Sequence, residues 1–452
     1  MAEHLAQINA VLWGWPMIGL LCAAHLLLTL RTGFIQRKMF LALRLSFCRG
    51  GEDGEWSPFA ALSTALASTV GTGSIVGVGA AIALGGPGAA FWLWIAGFFA
   101  FATKYGEALL GVKYRVRDGQ GRMLGGAMYV LSRGLGLPGA GMLFALCAVL
   151  ASFGIGSAVQ ARTAASLLSA ELGLEPLAAG LLLAVLAAVV LRGGGRSIVK
   201  ACAVLVPLMT ALYLLCCCYI LWHNRCFLLP AMTWICRDAF SGRAAGGAAG
   251  GGMLLALRYG LARGLFSNEA GMGSAPLADA AAQTPNAPRQ ALISASAVFW
   301  DTLAVCALTA LVLVSQMLAH PQAFPPGLDG GALTAIAFRQ ISPAGPVVLL
   351  GGMIAFAFSS VLGWHFYGER CCLYLWGEKS LPVYRLLYLA ALPAGAVCGG
   401  DLVWGAADLL NALMCLPNLL SLFLLSRQIS QDTAYFVYGG RLKERQSPWR
   451  PE

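Results

Sequence analysis

The chain reads as a succession of long apolar stretches separated by short segments rich in Lys, Arg, Pro and Gly. Eleven of them cover, in round terms, residues 8–31, 58–83, 88–112, 138–165, 176–192, 197–222, 246–274, 289–318, 343–368, 382–400 and 403–426. A helix needs ~20 apolar residues to cross ~30 Å of hydrocarbon, so this pattern predicts an all-α polytopic membrane protein of about eleven transmembrane helices. The first stretch has no basic residue in its leader, and a basic segment rather than a cleavage site follows it, which predicts a retained helix and not a signal peptide. The expected organisation is an N-terminal helix with its basic segment (1–50), two five-helix sets (51–245 and 246–426) and a basic tail (427–452).

Composition agrees with lipid as the solvent. Hydrophobic residues make up 58% of the 452 and charged residues only 11%, with a mean hydropathy of +0.73, against about 25% charged in soluble domains. A soluble enzyme, a nucleic-acid binder and a disordered chain are excluded. The net charge of +10 is therefore a matter of topology. Arg31, Arg37, Lys38, Arg44, Arg49, Lys113, Arg115, Arg117, Arg122, Arg133, Arg192, Arg196, Lys200, Arg289, Arg370, Lys379, Arg385 and the tail fall on one side when the chain alternates across eleven spans. The opposite side holds Arg225, Arg237, Arg243 and Arg339, with Arg162 near it. By the positive-inside rule this predicts an outside N-terminus and a cytosolic C-terminus in the plasma (inner) membrane. The fourteen cysteines show neither a Cys-x-x-Cys pair nor a zinc-like spacing, and most lie within apolar runs as small hydrophobes. Cys226 and Cys236 share one connecting segment and are free to pair if it faces an oxidising space.

Two stretches break helical rules. Ser68-Thr69-Val70-Gly71-Thr72-Gly73-Ser74 interrupts the second, and Ser267-Asn268-Glu269-Ala270-Gly271-Met272-Gly273-Ser274 interrupts the seventh. Each lies in the first helix of a five-helix set, the signature of an inverted-repeat transporter with discontinuous helices. An unwound turn frees N–H groups that suit a carboxylate and carbonyls that suit a small hard cation. Packing alone is the competing reading for Gly73-x-x-x-Gly77 and for the Gly242, Gly246, Gly250 ladder. A dinucleotide loop is excluded, because no β-strand precedes either segment.

Polar residues inside apolar runs narrow the site. Ser359 and Ser360 in the ninth stretch either complete a sodium shell or bond back to their own helix. Gln160 offers a donor and an acceptor to a zwitterion, or an interhelical bond. Glu269 is either a protonatable coupling group or, the favoured reading, an ion-pair partner near Arg258 and Arg263. Asp301, Asp408, Asn411 and Asn418 read as helix-fixing groups, and Lys104 with Glu107 as a structural pair.

Several blocks resemble the alanine/glycine:cation (sodium:alanine) symporter family: Gly71-Thr72-Gly73-Ser74-Ile75, Ala83 to Ala89, Ala102 to Glu107, Arg263 to Gly271 with Gly273 to Pro276, Leu362-Gly363-Trp364 with Tyr367 to Arg370, and Ala407 to Asn411 with Pro417-Asn418-Leu419. The likeness runs from about residue 10 to about residue 430. It implies a LeuT-like core of five-plus-five inverted repeats after one extra helix, with sodium-coupled uptake of alanine, glycine or another small neutral amino acid and no further cofactor. Carried over, the resemblance assigns sodium to the carbonyls of Ala67 and Val70 with Ser359 and Ser360. It assigns substrate to Gly71, Thr72, Gly73, Ser74, Gln160, Phe266, Ser267 and Asn268. Three departures stand out: Ser74 where the family carries Asn, Ala161-Arg162-Thr163 where it carries small polar residues, and Asp279 where it often has His. Arg162 either snorkels to the outer interface or faces the cavity and favours a substrate with an extra carboxylate. The alternatives to sodium symport are proton coupling or an altered substrate on the same fold, or an amino-acid sensor. An integral-membrane enzyme would need a metal motif such as His-Glu-x-x-His, and a channel a continuous polar lining; neither is present in the sequence.

Overall fold

The computed structural model describes residues 2–48, 54–241, 252–325, 327–340 and 345–446. The first half of the chain forms helices α1 (Ala2–Leu12), α2 (Trp15–Arg31), α3 (Met39–Ser46), α4 (Pro58–Thr69), α5 (Thr72–Gly85), α6 (Ala89–Lys113), α7 (Pro138–Leu172), α8 (Pro176–Leu191), α9 (Gly194–His223) and α10 (Arg225–Phe240). The second half forms α11 (Gly252–Ser267), α12 (Pro276–Asp279), α13 (Ala287–Ala319), α14 (Gly330–Arg339), α15 (Gly345–Trp376), α16 (Leu381–Val397), α17 (Gly400–Leu424) and α18 (Ser426–Asp432). Among the described residues the strands are a two-residue hairpin, Val116–Arg117 against Met123–Leu124.

Every expected apolar stretch contains a helix or a helix pair. By length and apolarity, however, six helices qualify as membrane spans: α7, α9, α13, α15, α16 and α17. Two bent pairs raise the number to eight, α2 with Ile35–Ser46 at 69° and α4 with Gly73–Gly85 at 40°. The remaining stretches fall short in polarity or in length: α6 carries Lys104, Glu107 and Lys113, and α8 and α11 have only 16 residues each.

Two expectations change, those for the first stretch and for Cys226 and Cys236, and both basic segments add contacts. The first stretch is not one rod, since α1 ends at Leu12 and α2 restarts at Trp15, with Pro16 where a helix start needs no N–H. The basic segment after it is folded, a 3-10 turn and α3 that bury Ile35, Gln36, Ala42 and Leu45. Cys226 and Cys236 do not share a loop. Both are exposed free thiols on α10, and ten residues of helix separate them by about 15 Å, which precludes a disulfide. The basic tail packs against the rest of the chain. Tyr438 Oη donates to the Thr32 carbonyl at 2.9 Å, and Asn286 Nδ2 donates to the Leu442 and Glu444 carbonyls at 3.0 and 2.9 Å. The Gly242, Gly246, Gly250 ladder lies outside the described residues, as does the expected boundary at 245/246.

Small residues bring the helices close. A Cβ on Gly79 would lie 2.3 Å from the Gly330 carbonyl oxygen, one on Gly156 2.3 Å from Cβ of Trp364, and one on Gly363 3.0 Å from the Ser68 amide. Such contacts replace the hydrophobic drive that lipid removes. They press α15 onto α4, where the chain is broken, and the middle of α7 onto α15. On the basic side the segments before α4 and after α12 are locked together. The Gln283 amide donates to the Trp56 carbonyl at 2.7 Å, Arg115 donates to the Ala280 and Ala282 carbonyls, and Arg370 meets Glu55 at 3.3 Å.

Candidate functional site

α4 ends where the Val70 amide closes on the Leu66 carbonyl at 2.8 Å and Val70 turns extended (φ −76°, ψ 103°). Gly71 is also extended and α5 begins at Thr72. The last carbonyls of one helix and the first amides of the next lack helical partners, so freed groups of both signs meet at this break. Any residue adopts the backbone angles of Gly71 (φ −154°, ψ −160°). What excludes a side chain is Ser360, whose Oγ would lie 3.0 Å from a Cβ.

A cavity of about 380 Å³, counted to its mouth, opens beside the break. α4 and α5 contribute Ser68, Thr69, Gly71 and Gly73; α7 contributes Ile155 and Gln160. Phe266, Ser267 and Glu269 come from the second interrupted segment, with Ser360 of α15 and Trp404 of α17 opposite. Two polar atoms on this lining are buried without a partner among the described residues, Ser360 Oγ and Gln160 Oε1. Gln160 Nε2 is occupied, donating to the Ile155 carbonyl at 3.1 Å. That bond spans five residues because α7 widens into a π turn at Ser152–Ala158, a distortion common at functional sites.

Five expected ligands therefore line the cavity with side chain or backbone: Gly71, Gly73, Gln160, Phe266 and Ser267, together with Ser360 of the sodium set. Ala67 and Val70 are buried at the end of α4, where only their carbonyls are available. Of Thr72 the backbone starts α5. Three side chains are placed elsewhere. Ser359 donates to the Phe356 carbonyl of its own helix at 2.9 Å. Asn268 is used within its own segment, its Nδ2 on the Gly264 carbonyl at 2.7 Å and its Oδ1 on the Ala270 amide at 3.0 Å. Ser74 points away from the cavity, donating to Asp301 Oδ1 at 2.5 Å, with the Thr69 carbonyl 3.2 Å away as an alternative acceptor. A short hydroxyl on the inner face of α5 reaches a buried acid before it reaches the lumen.

The second break is built differently. After Ser267 the chain leaves the helix until α12. Glu269 takes a left-handed conformation (φ +52°), as do Gly271 (φ +99°) and Gly273 (φ +77°), which suits glycine and strains glutamate. α6 holds this segment. Lys104 Nζ donates to the Asn268 carbonyl at 2.9 Å, and Glu107 Oε1 accepts from the Gly271 and Gly273 amides at 2.8 and 2.9 Å. Asn418 of α17 donates to Glu107 at 2.6 Å and to the Gly271 carbonyl at 2.9 Å. Lys104 and Glu107 are thus not each other's partner. Nor does Glu269 pair with an arginine; it accepts from Ser274 Oγ at 2.5 Å and borders the cavity. Asn418 fixes helix contacts as expected.

Arg162 is resolved by geometry. Its guanidinium donates to the Ala396 carbonyl near the end of α16 at 3.0 Å, so it is engaged on α16 and is not on the cavity lining. Arg263 instead lines a second chamber of about 580 Å³, which shares Gly73 and Trp404 with the first and is bounded by Val76, Gly77, Ala80 and Thr163. Sequence reasoning missed Glu269 and Trp404 as cavity residues and Asp301 as the partner of both breaks. A lone acid in an apolar run was the only available signal for Asp301. Among the described residues no three His, Cys, Asp or Glu side chains gather to hold a metal ion.

Comparison with known proteins supplies the context. Residues 1–449 match the model of the sodium:alanine symporter family. The sodium/alanine symporter AgcS of Methanococcus maripaludis is 43% identical over 95% of this chain and 96% of its own length. The probable sodium/glutamine symporter GlnT of Bacillus subtilis is 36% identical over 94% and 89%. A Na+-coupled sialic acid symporter, solved in a substrate-bound outward-open state, superposes with a TM-score of 0.59 at 15% identity, over 93% of this chain and 86% of that one.

Proposed function

The chain belongs to the sodium:alanine symporter family, a family of transporters and not of enzymes, and from that premise we propose that it carries a small neutral amino acid inward together with sodium. The observation that carries the reading is the pair of unpartnered polar atoms, Ser360 Oγ and Gln160 Oε1, on one small cavity at the first break. A buried polar atom without a partner costs about 1–3 kcal/mol, which a ligand bonding there recovers.

In this reading the substrate carboxylate meets the freed amides of Thr72 and Gly73 at the positive end of α5. Its ammonium lies toward Gln160 Oε1 and the Glu269 carboxylate. Ile155, Phe266 and Trp404 enclose the side chain, which keeps it small, as in alanine or glycine. Sodium sits between the carbonyls of Ala67 and Val70 and the hydroxyl of Ser360, and Ser359 joins by rotating off Phe356. Each ligand completes the other's site, so the coupling is reciprocal. The eleven-span topology, the five-plus-five inverted repeat, an outside N-terminus and a plasma-membrane location belong to the same proposal.

The test is uptake of radiolabelled alanine into proteoliposomes with and without an inward sodium gradient, beside the Ser360→Ala variant. Sodium-driven accumulation that Ser360→Ala weakens supports the reading. Uptake driven only by a proton gradient rejects sodium coupling, and uptake that ignores both gradients rejects symport.

A further inference from the structure

Past α2 the chain turns by 69° into the segment Ile35–Ser46. Phe40, Arg44 and Phe47 are exposed there, while Ala42, Leu45 and Ser46 are buried. Exposed rings and basic groups on one short amphipathic segment belong at the level of lipid headgroups, with the rings reaching toward the acyl chains.

Phe47 also lines a cavity of about 650 Å³, counted to its mouth, that shares no residue with the substrate cavity. Phe59, Leu62 and Leu66 from α4 and its start, Pro207 and Ala211 of α9 and Trp300 of α13 form its walls. The neighbouring Val204, Leu208 and Leu212 of α9 are exposed apolar residues, so the groove lies beside a surface that faces lipid. Its two hydroxyl residues, Ser63 and Thr210, can each turn back to a carbonyl of their own helix. Such a cavity gives water too few partners to hold it. Left empty, it forfeits dispersion contacts along every wall. Hydrocarbon is the filling that answers both.

Charge selects the kind of hydrocarbon. Arg44 stands one helical turn before Phe47. On α9, Arg196 and Lys200 precede Pro207 by three turns and two, so they share its face, and Lys200 lies about 10 Å from it along the axis. All three cations are exposed, and among the described residues none has an ion-pair partner. A phosphate at that level leaves its acyl chain running down into the groove.

We infer that this groove binds one anionic phospholipid, its acyl chain between α4, α9 and α13 and its phosphate on Arg44 and Lys200. The site stands independently of the solute carried. Because α4 runs directly into the first break, the chain braces the half-helix that brings Ser68 and Thr69 to the substrate cavity.

The test is thermal melting of the delipidated full chain in detergent, titrated with dioleoyl phosphatidylglycerol or dioleoyl phosphatidylcholine, while native mass spectrometry counts the retained lipid. One phosphatidylglycerol per chain is expected to be retained and to raise the melting temperature. Phosphatidylcholine should need a concentration about twentyfold higher, since each cation near an anionic headgroup contributes about fivefold. Arg44→Gln combined with Lys200→Gln should remove that preference, and Ala211→Trp, which fills the groove, should abolish retention of either lipid. If Ala211→Trp does not fold, phosphatidylglycerol with brominated chains is added to the wild type. The fluorescence quenching that Trp300→Phe removes should then saturate at one lipid per chain. Equal affinity for the two lipids overturns the anionic headgroup. Undiminished retention in Ala211→Trp, or unquenched Trp300, overturns the groove. So does a delipidated chain that forms dimers which Ala211→Trp dissolves, because a second copy then fills the space.

Discussion

At the first break, Val70–Gly71, freed main-chain groups border a cavity whose opposite wall carries polar atoms without partners. At the second, residues 268–275, the freed groups are met by side chains from other helices, chiefly Lys104, Glu107 and Asn418. An unwound turn is a reservoir of polar groups that lipid cannot satisfy. The molecule ties one reservoir down and leaves the other bordering a cavity. A Gly-interrupted membrane helix is therefore not in itself a binding site; what matters is whether the protein has already taken its hydrogen bonds.

The contrast can be broken most forcefully at Glu107. Glu107→Gln keeps the shape but removes the charge that accepts from two amides and Asn418, at a cost on the order of 3 kcal/mol. A clear drop in melting temperature and a loss of alanine uptake of roughly 100-fold are expected. A variant that melts and transports like the wild type would show that the second break is not held from α6. Next comes Ser360→Ala, expected to raise the sodium concentration for half-maximal uptake about tenfold, or about 1.4 kcal/mol, with little change in melting. Ser359→Ala is the paired control and should shift it by no more than about threefold, because that hydroxyl is already bonded to Phe356. Equal effects of the two serines would remove the distinction between them.

Gly71→Ala sharpens the same point from the other side. The new Cβ would stand 3.0 Å from Ser360 Oγ, so a loss of sodium affinity of about fivefold is expected. Ser360→Ala in the same chain removes the crowded oxygen, and the double variant should be no worse than Ser360→Ala alone. Gln160→Leu removes the unpartnered acceptor. It should weaken alanine binding about three- to fivefold, measured by isothermal titration, while sodium binding without alanine stays as it was. The smallest effect belongs to Arg162→Ala, which loses a hydrogen bond to Ala396 away from the cavity and should change alanine affinity by less than about twofold.

Much of this was legible along the chain. The apolar stretches each located a helix or a helix pair, and the two interruptions fell where α4 gives way to α5 and where α11 ends. Gln160, Gly71 and Ser360 border the cavity. Ser74, Ser359 and Asn268 do not, although their motifs are as suggestive. A serine reads the same whether its hydroxyl faces a lumen, its own helix or a buried acid, and only the rotamer and the neighbouring helix separate these cases. The tail reads as soluble and basic by composition, yet Asn286 and the α2 terminus hold it in place.

By itself the amino-acid order determined the solvent, the helices and the two places where a helix must stop, because hydrophobicity and glycine content act within a few residues of where they occur. The tertiary structure alone decided which break is tied down and which stays available. That depends on side chains brought from far along the chain, Lys104 and Glu107 to residues 268–273, Asp301 to Ser74, and Ser360 to Gly71. Their meeting is set by how the helices pack against one another, a property of pairs of surfaces that no single stretch of sequence contains.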